Sequence, residues 1–206
     1  MTNSRPLSLE ILNSRIDACE VCSGRVPGYQ KPAPLRRGNL CKVMIVGQGP
    51  GNTELASGKA FSGQAGTRLD QWLVASGARE TDPRRGIYLT SVVKCVTSAL
   101  TPPLSMLHDC IGFLHDQIAL LKPGLVISLG KVAYHALRVF EQDYETSLCT
   151  IADTRSVYLV PPFGCHYRLL VWPHPSGLNR WHNVPGNKAK LTSTFPLVGA
   201  QIGSVP

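Results

Sequence analysis

The chain has 206 residues, of which 43% are hydrophobic, and a formal net charge of +8 from 21 Lys plus Arg against 13 Asp plus Glu. This size and composition predict one globular domain, residues 1–206, with a full hydrophobic core. No run of 18 apolar residues is present, and the start MTNSRPLSLE has no apolar stretch typical of a secretory signal. We therefore expect a soluble, cytoplasmic protein with no membrane partner. The basic surplus favours a polyanionic partner such as DNA.

Strand and helix patterns alternate along the chain. Residues 1–18 are predicted to form a short amphipathic lead-in, and residues 23–40 an extended connector. Apolar runs then predict strands at 43–46, 87–93, 125–129, 156–160 and 169–172. Apolar residues at helical spacing predict helices at 65–76, 104–121, 131–140 and 187–200. This alternation predicts an α/β fold, a three-layer α/β/α sandwich around a mostly parallel, four-stranded sheet.

Two short motifs follow the first and last of these strands. GQGPG, residues 47–51, comes directly after the first strand, and its glycines let the backbone turn and approach a ligand closely. HPSGL, residues 174–178, follows the last strand and offers the imidazole of His174 on a loop stiffened by Pro173 and Pro175. Loops that leave the carboxyl ends of parallel strands converge on one crevice. The motifs therefore predict a ligand site assembled from both ends of the chain.

The seven cysteines are an odd number in a chain without a secretory signal, which argues against a disulfide framework. Cys19 and Cys22 form a C-x2-C pair, Cys95 ends a predicted strand, and Cys110 lies on a predicted helix. Four thiolates can ligate a 4Fe–4S cluster or a structural zinc ion, and spacing alone leaves both open, together with plain core thiols. The remaining cysteines fit no ligand pattern and are expected to be small apolar fillers: Cys41, Cys149 and Cys165.

These segments resemble the uracil-DNA glycosylase superfamily and, within it, the iron–sulfur-containing family 4. The resemblance covers about three quarters of the chain, from Cys19 to about Lys190, and its segments occur in the family's order: C-x2-C, GQGPGNTELASGKAFSGQAGTRLD, YLTSVVKC, VISLGKVA and HPSGL. It implies a monofunctional DNA glycosylase that hydrolyses the N-glycosidic bond of a flipped-out base, uracil by default, and leaves an abasic site. It also implies a 4Fe–4S cluster, rather than zinc, on four cysteines: Cys19, Cys22, Cys95 and Cys110.

The resemblance further implies roles for individual residues. His174 would stabilise the departing base by a hydrogen bond to its 2-carbonyl oxygen. Phe61 would stack on the flipped base, and Leu178 would fill the gap that the extruded nucleotide leaves. Asn179 and Arg180 would lie near the phosphates.

The first motif departs from the family pattern. Family 4 has Glu where this chain has Gln48, so the motif's carboxylate is missing. We expect Glu54, in the same segment, to orient the water or face the oxocarbenium ion, with Gln48 beside it. Gly47 and Gly49 are expected to contact the base.

The second departure is Ser91, where the family has an Asn whose amide reads the 3-NH and 4-carbonyl of uracil together. A hydroxyl cannot make that paired contact, so we expect altered or broadened base specificity.

Three functions stay open at this point. The first is a glycosylase for a damaged base, or for a modified base in foreign (phage) DNA. The second is a metal-stabilised DNA-binding module whose chemistry has lapsed, and the third is an enzyme acting on free nucleosides. Leu178 and the basic surplus speak against the third, because a free nucleoside needs neither a wedge nor a phosphate track. We expect a monomer that acts on single- or double-stranded DNA.

Overall fold

The computed structural model describes residues 8–32, 42–137, 143–153 and 167–203. Its strands are β1 (Gln30–Pro32), β2 (Val43–Gly47), β3 (Ile87–Ser91), β4 (Cys95–Val96), β5 (Leu125–Leu129), β6 (Ile151–Asp153) and β7 (Arg168–Trp172). Its helices are α1 (Leu9–Asp17), α2 (Asn52–Ser57), α3 (Gln64–Ala75), α4 (Leu104–Leu121), α5 (Gly130–Leu137), α6 (Tyr144–Ser147), α7 (Asn187–Thr192) and α8 (Phe195–Ile202), with a 3₁₀ helix at Arg180–Asn183. The strand predicted at 156–160, and Cys41 and Cys165, lie outside the described residues.

The central sheet has the strand order β3-β2-β5-β7-β6. The first four strands are parallel and continue one another's register, and the short β6 pairs antiparallel with β7 at the edge. The predicted four-stranded parallel sheet is therefore confirmed, with an antiparallel edge strand added. All four parallel strands point their carboxyl ends to the same edge of the sheet.

Two separate cores confirm the three-layer sandwich. Successive strand residues alternate between the faces, so Val43 and Ile45 pack with α3, α7 and α8, whereas Met44 and Val46 pack with α4 and α5. Both faces of the parallel strands are thus covered, which explains why the strands are continuous apolar runs in the sequence.

Two predicted elements end differently in the structure. The strand predicted at 87–93 ends at Ser91, because the backbone N–H groups of Val92 and Val93 turn to donate to the carbonyls of Gly47 and Gln48. The single helix predicted at 187–200 is two helices, α7 and α8, and Pro196 lies in the first turn of α8. Proline has no N–H to continue a preceding helix, so a new helix starts there.

The N-terminal segment forms an attachment of its own. The helix α1 begins at the cap residue Ser8 and packs on α4, and β1 pairs antiparallel with β4. Between these contacts lies a third cluster of buried side chains, which includes three cysteines. Within the described residues, no helix is both long and apolar enough to cross a membrane.

Candidate active site

The four parallel strands end at one site. Gly47 ends β2 and is paired with Ser91 at the end of β3. Gly130 directly follows β5, and His174 follows β7 by two residues. His174 packs closely on Gly130, since a Cβ on that glycine would lie 3.0 Å from the His174 Cβ. The fold thus brings the two sequence motifs to the same edge of the sheet.

Phe61 lies against the end of β2. A Cβ built on Gly47 would lie 2.8 Å from the Phe61 ring atom Cζ, so a side chain at position 47 would displace the ring. Phe61 also has φ 51°, in the left-handed region that few non-glycine residues adopt. The segment that carries it, residues 58–63 between α2 and α3, is called the Phe61 loop below. A backbone in this conformation has to be held by neighbouring groups.

Arg84, which no sequence motif marks, makes one set of the contacts that fix the Phe61 loop. Arg84 Nη1 donates to the carbonyl of Ala60 at 2.6 Å, and Nη2 donates to the carbonyl of Phe61 at 2.8 Å. The same guanidinium makes a bidentate pair with Asp70 at 2.6 and 2.9 Å. Such charge-assisted, planar contacts fix geometry more firmly than neutral hydrogen bonds do.

Glu54 makes a second set of contacts that fix the Phe61 loop. Its Oε2 accepts from the N–H of Gly51 at 3.0 Å, and its Oε1 accepts from the N–H groups of Ser62 and Gly63 at 2.9 and 3.2 Å. The carboxylate therefore ties the start of α2 to the Phe61 loop. The predicted water-orienting role of Glu54 stays a prediction, and the contacts in the structure give this carboxylate a structural task.

His174 is held in one tautomer. Its Nδ1 accepts from the backbone N–H of Ser176 at 3.1 Å, so in the neutral imidazole the proton is assigned to Nε2. Burial lowers the pKa of His174, and the charge of nearby His182 lowers it further. The neutral form therefore prevails at pH 7, and Nε2–H is a hydrogen-bond donor.

Side chains around residues 173–179, the His174 loop, fix its backbone. The carbonyl of His174 accepts from Asn179 Nδ2 at 2.9 Å and contacts His182 Nε2 at 3.2 Å. Arg68 donates to the carbonyl of Ser176 at 3.2 Å. Asn179 Oδ1 also accepts from the N–H of Trp181, so both ends of its amide are used within the chain, and its predicted phosphate contact stays a prediction.

The chain's three tryptophans lie beside this loop. The ring of Trp72 packs at 5.6 Å from Trp172 and at 5.4 Å from His182, and Trp181 packs at 5.5 Å from His182, measured between ring centroids.

The two residues that depart from the family pattern both have partners. Ser91 is 4% exposed, and its hydroxyl donates to the carbonyl of Val93 at 2.6 Å. Gln48 Nε2 donates to the carbonyl of Leu100 at 2.8 Å. Gly49 is exposed and packs directly on Val93.

A buried lysine lies behind Ser91. Lys94 is 6% exposed, and its ammonium donates to the hydroxyl of Thr90, the carbonyl of Ser91 and Oε1 of Gln117. Gln117 in turn donates to the hydroxyl of Tyr88 at 3.0 Å. All three ammonium protons are thus used, and the network fixes the end of β3.

Two of the three residues predicted to touch DNA are exposed, and Asn179 is half-buried. Leu178 is 80% exposed, and Arg180 is exposed at the start of the 3₁₀ helix.

The four predicted metal-ligating cysteines belong to one region. Cys22, Cys95 and Cys110 are each 3% exposed and form the third core cluster with Val26, Val93 and Met106, while Cys19 is half-buried. Among the described residues, no three His, Cys, Asp or Glu side chains meet around a point that could hold a single metal ion.

The electrostatics of Cys22, Cys95 and Cys110 fit a positively charged centre. Burial and the neighbouring thiols Cys110, Cys22 and Cys19 raise the pKa of Cys95 to about 12. Burial also raises the pKa of Cys22 and of Cys110. Thiols that oppose one another's ionisation in this way ionise together when a bound metal compensates their charge. The donor set therefore fits an iron–sulfur cluster, whose thiolates ligate separate irons and need not meet at one point.

Comparison with known proteins agrees with this geometry. The model of the uracil DNA glycosylase superfamily matches residues 37–195. The chain belongs to the uracil DNA glycosylase superfamily. The match includes both loops of the site, Ser91 and two of the four cysteines, Cys95 and Cys110.

Several members of this superfamily are similar to the chain. A Type-4 uracil-DNA glycosylase of Pyrobaculum aerophilum is 35% identical over 133 residues, 64% of this chain and 65% of the relative. One of Thermotoga maritima is 32% identical over 61% of this chain and 63% of the relative. One of Saccharolobus solfataricus is 26% identical over 97% of this chain and 88% of the relative. The matched part thus spans just under two thirds of the length of the first two relatives.

Proposed function

We propose that this protein is a DNA glycosylase that hydrolyses the N-glycosidic bond of a flipped-out base, with uracil as the default substrate. The observation that carries the proposal is the His174 ring, whose Nδ1 accepts from the N–H of Ser176 and leaves Nε2 as the donor, at the edge of the sheet where the Phe61 ring also lies. The names of the relatives, which are Type-4 uracil-DNA glycosylases, support the same activity.

The chemistry follows from charge development. As the glycosidic bond breaks, negative charge builds on a carbonyl oxygen of the base and positive charge on the sugar. A neutral donor such as His174 Nε2–H becomes a stronger partner for that oxygen as the charge grows, which lowers the barrier. Phe61 would hold the base by stacking, once the nucleotide has left the helix. Gln48 and Glu54 stay the predicted partners of the water and the sugar, and the loop contacts of the Glu54 carboxylate favour a structural role for this residue.

The base specificity of this site is proposed to be altered. Ser91 is short, and its hydroxyl proton is engaged by the carbonyl of Val93, so it offers no donor to a base. A pocket without the family's amide discriminates less against other bases, which favours a damaged or modified base, including one in phage DNA.

DNA is the proposed partner. The net charge of +8 supplies attraction to phosphates, and the exposed Leu178 and Arg180 suit the roles of wedge and phosphate contact. Because counterion release drives such binding, the logarithm of affinity should fall linearly with the logarithm of salt concentration, and Arg180→Ala should reduce this slope by about one. Affinity that is independent of salt would argue for a free nucleoside as substrate.

We also propose that Cys19, Cys22, Cys95 and Cys110 hold a 4Fe–4S cluster. When bound, the cluster would supply a structural link between the N-terminal segment and β4 and α4, with no redox step in the reaction. Protein purified without oxygen should contain about four iron atoms per chain. If the protein instead contains one zinc ion and no iron, the four cysteines form a zinc site. Cys22→Ser should lower the metal content whichever metal is bound.

The decisive experiment is a base panel. Oligonucleotides that each carry one uracil, deaminated purine or modified pyrimidine are assayed for binding and for abasic sites, and the free nucleosides of the same bases are assayed for released base. We expect abasic sites to form in at least one of the oligonucleotides of the panel. DNA binding without any abasic site would favour the lapsed binding module, and cleavage of free nucleosides alone would favour the small-molecule enzyme.

A further inference from the structure

Residues 97–103, the Leu100 loop, connect β4 with α4 at the rim of the site. We propose that this loop is a second DNA-contacting element and that Leu100 is a second wedge, which enters duplex DNA on the side of the site opposite Leu178. The inference rests on the proposed action on DNA.

The position of the loop comes from one hydrogen bond and from the sheet order. Gln48, the first residue after β2, donates through Nε2 to the carbonyl of Leu100 at 2.8 Å. Leu178 instead follows β7, which is separated from β2 by β5. Neighbouring strands lie about 4.8 Å apart, so these two strand ends are roughly 10 Å from each other. The backbone at Leu100 is therefore tied to the end of β2, two strands away from the strand that leads to Leu178.

The Leu100 loop is firmly attached. Thr97 Oγ1 accepts from the N–H of Ala99 at 2.9 Å, and Ser98 Oγ donates to the carbonyl of Pro27 at 3.1 Å. Pro102 is buried, and Pro103 caps the start of α4. Ser98 also packs tightly on Gly28, in the segment that follows Cys22. The loop is thus fixed to the cysteine-bearing segment on one side and to Gln48 on the other.

Against this fixed backbone, the side chain of Leu100 is 83% exposed. An isolated exposed leucine is ordinary, but this one projects from a braced loop whose carbonyl contacts a residue of the candidate site. Leucine is among the side chains that DNA-bending proteins insert between base steps, and insertion requires a rigid support. The occupant we propose is double-stranded DNA, because only a duplex has a paired stack in which an extruded nucleotide leaves a gap for a wedge to fill.

The test compares two leucines of equal exposure. Leu100→Ala removes the proposed wedge but keeps the carbonyl that accepts from Gln48. Leu104→Ala is the matched control, since Leu104 is 84% exposed at the start of α4. Leu100→Phe retains a large apolar side chain. Each variant is checked for an unchanged unfolding temperature.

The probe is an oligonucleotide with a tetrahydrofuran abasic analogue beside a 2-aminopurine, used as a duplex and as a single strand. Leu100→Ala should weaken binding to the duplex by about tenfold, as expected for one lost buried leucine, and reduce the 2-aminopurine brightening that reports unstacking. Binding to the single strand should be unchanged. Leu104→Ala should match the wild type, and Leu100→Phe should keep most of the duplex affinity.

Three results would overturn the proposal: wild-type duplex binding in Leu100→Ala, equal weakening on duplex and single strand, or the same loss in Leu104→Ala. Because the probe needs no cleavage, the outcome is separate from the base panel. If the protein excises no base but Leu100→Ala shows the duplex-specific loss of binding, the second wedge is supported and the glycosylase activity is refuted. If the protein binds no DNA, both proposals are refuted.

Discussion

The Phe61 loop and the His174 loop border the same site, but they are held by different kinds of contacts. Charged groups brace the Phe61 loop, since Arg84 and Glu54 bind its carbonyls and N–H groups directly. The contacts described for the His174 loop come from an amide, an imidazole and backbone groups, with Arg68 as the charged exception.

The difference follows from what each loop presents. A phenyl ring needs only a fixed position, so ions beside its backbone do no harm. An imidazole needs a fixed position and a fixed protonation state. A carboxylate beside His174 would raise its pKa and favour the imidazolium, whereas burial and the nearby His182 act in the opposite direction. The neighbours of the His174 loop therefore keep the ring neutral.

The largest effect is expected for His174→Ala. Loss of one donor to a developing oxyanion costs about 100- to 1000-fold in rate, so abasic-site formation should fall by that range while DNA affinity stays near the wild-type value. Single-turnover cleavage and fluorescence anisotropy measure the two quantities. A variant that keeps wild-type cleavage would remove His174 from the chemistry.

The pH profile of the wild type provides a second check on the same residue. Because the pKa of His174 is lowered below its ordinary value of 6.5, the active neutral form should persist as the pH falls to 6.5, and the rate should decline only at lower pH. A rate that instead rises as the pH falls through 6.5 would indicate an imidazolium acid.

The next effect is expected for Arg84→Met, which removes the braces on Ala60 and Phe61 and leaves Asp70 without its bidentate partner. Hydrogen bonds to charged groups contribute about 1.5–3 kcal/mol each, so the unfolding temperature should fall and KM should rise by roughly tenfold or more, with a smaller change in kcat. Asp70→Asn is the matched control, because the guanidinium then keeps its two carbonyl contacts. A lower unfolding temperature with unchanged KM would limit Arg84 to stability.

Ser91→Asn tests the site between the two loops. An amide at the end of β3 should add the paired contact to uracil and shift the ratio of uracil to other bases by about 1–3 kcal/mol, which corresponds to roughly 5- to 150-fold. The base panel, run with both proteins, measures this ratio. Strict uracil specificity in the wild type that the substitution leaves unchanged would refute the altered pocket.

The smallest effect is expected for Glu54→Gln. The amide oxygen can still accept from the loop N–H groups, so cleavage should slow only about threefold, whereas Glu54→Ala should also lower the unfolding temperature. If Glu54→Gln instead lost a hundredfold in rate with normal stability, the predicted catalytic role of Glu54 would be supported over the structural one.

Much of the fold could be predicted from the sequence, because buried parallel strands are continuous apolar runs. The predictions for β5 and α4 match the structure to the residue, and the two loop motifs do meet at one edge of the sheet. The short strands β1 and β4 and the edge strand β6 carry no comparable pattern, since two or three residues cannot show a period.

The long-range side-chain contacts that hold the site in place could not be predicted from the sequence. Arg84 contacts Ala60 and Phe61 across 24 and 23 positions of sequence, and Lys94 contacts Gln117 across 23. An arginine in the loop between α3 and β3, or a lysine before a cysteine, has no sequence pattern that marks it as a contact holding the site. Only the packing of α3 and α4 on the sheet identifies their partners.

The positions of the three tryptophans give the protein a built-in optical sensor. Since Trp72 and Trp181 pack on His182 and Trp172 packs on Trp72, the tryptophan emission of the chain originates around His182 and the His174 loop. Occupancy of the site, or a change in the charge of His182, should alter the intensity and wavelength of that emission. Unlabelled protein can therefore report its own titrations in a stopped-flow instrument.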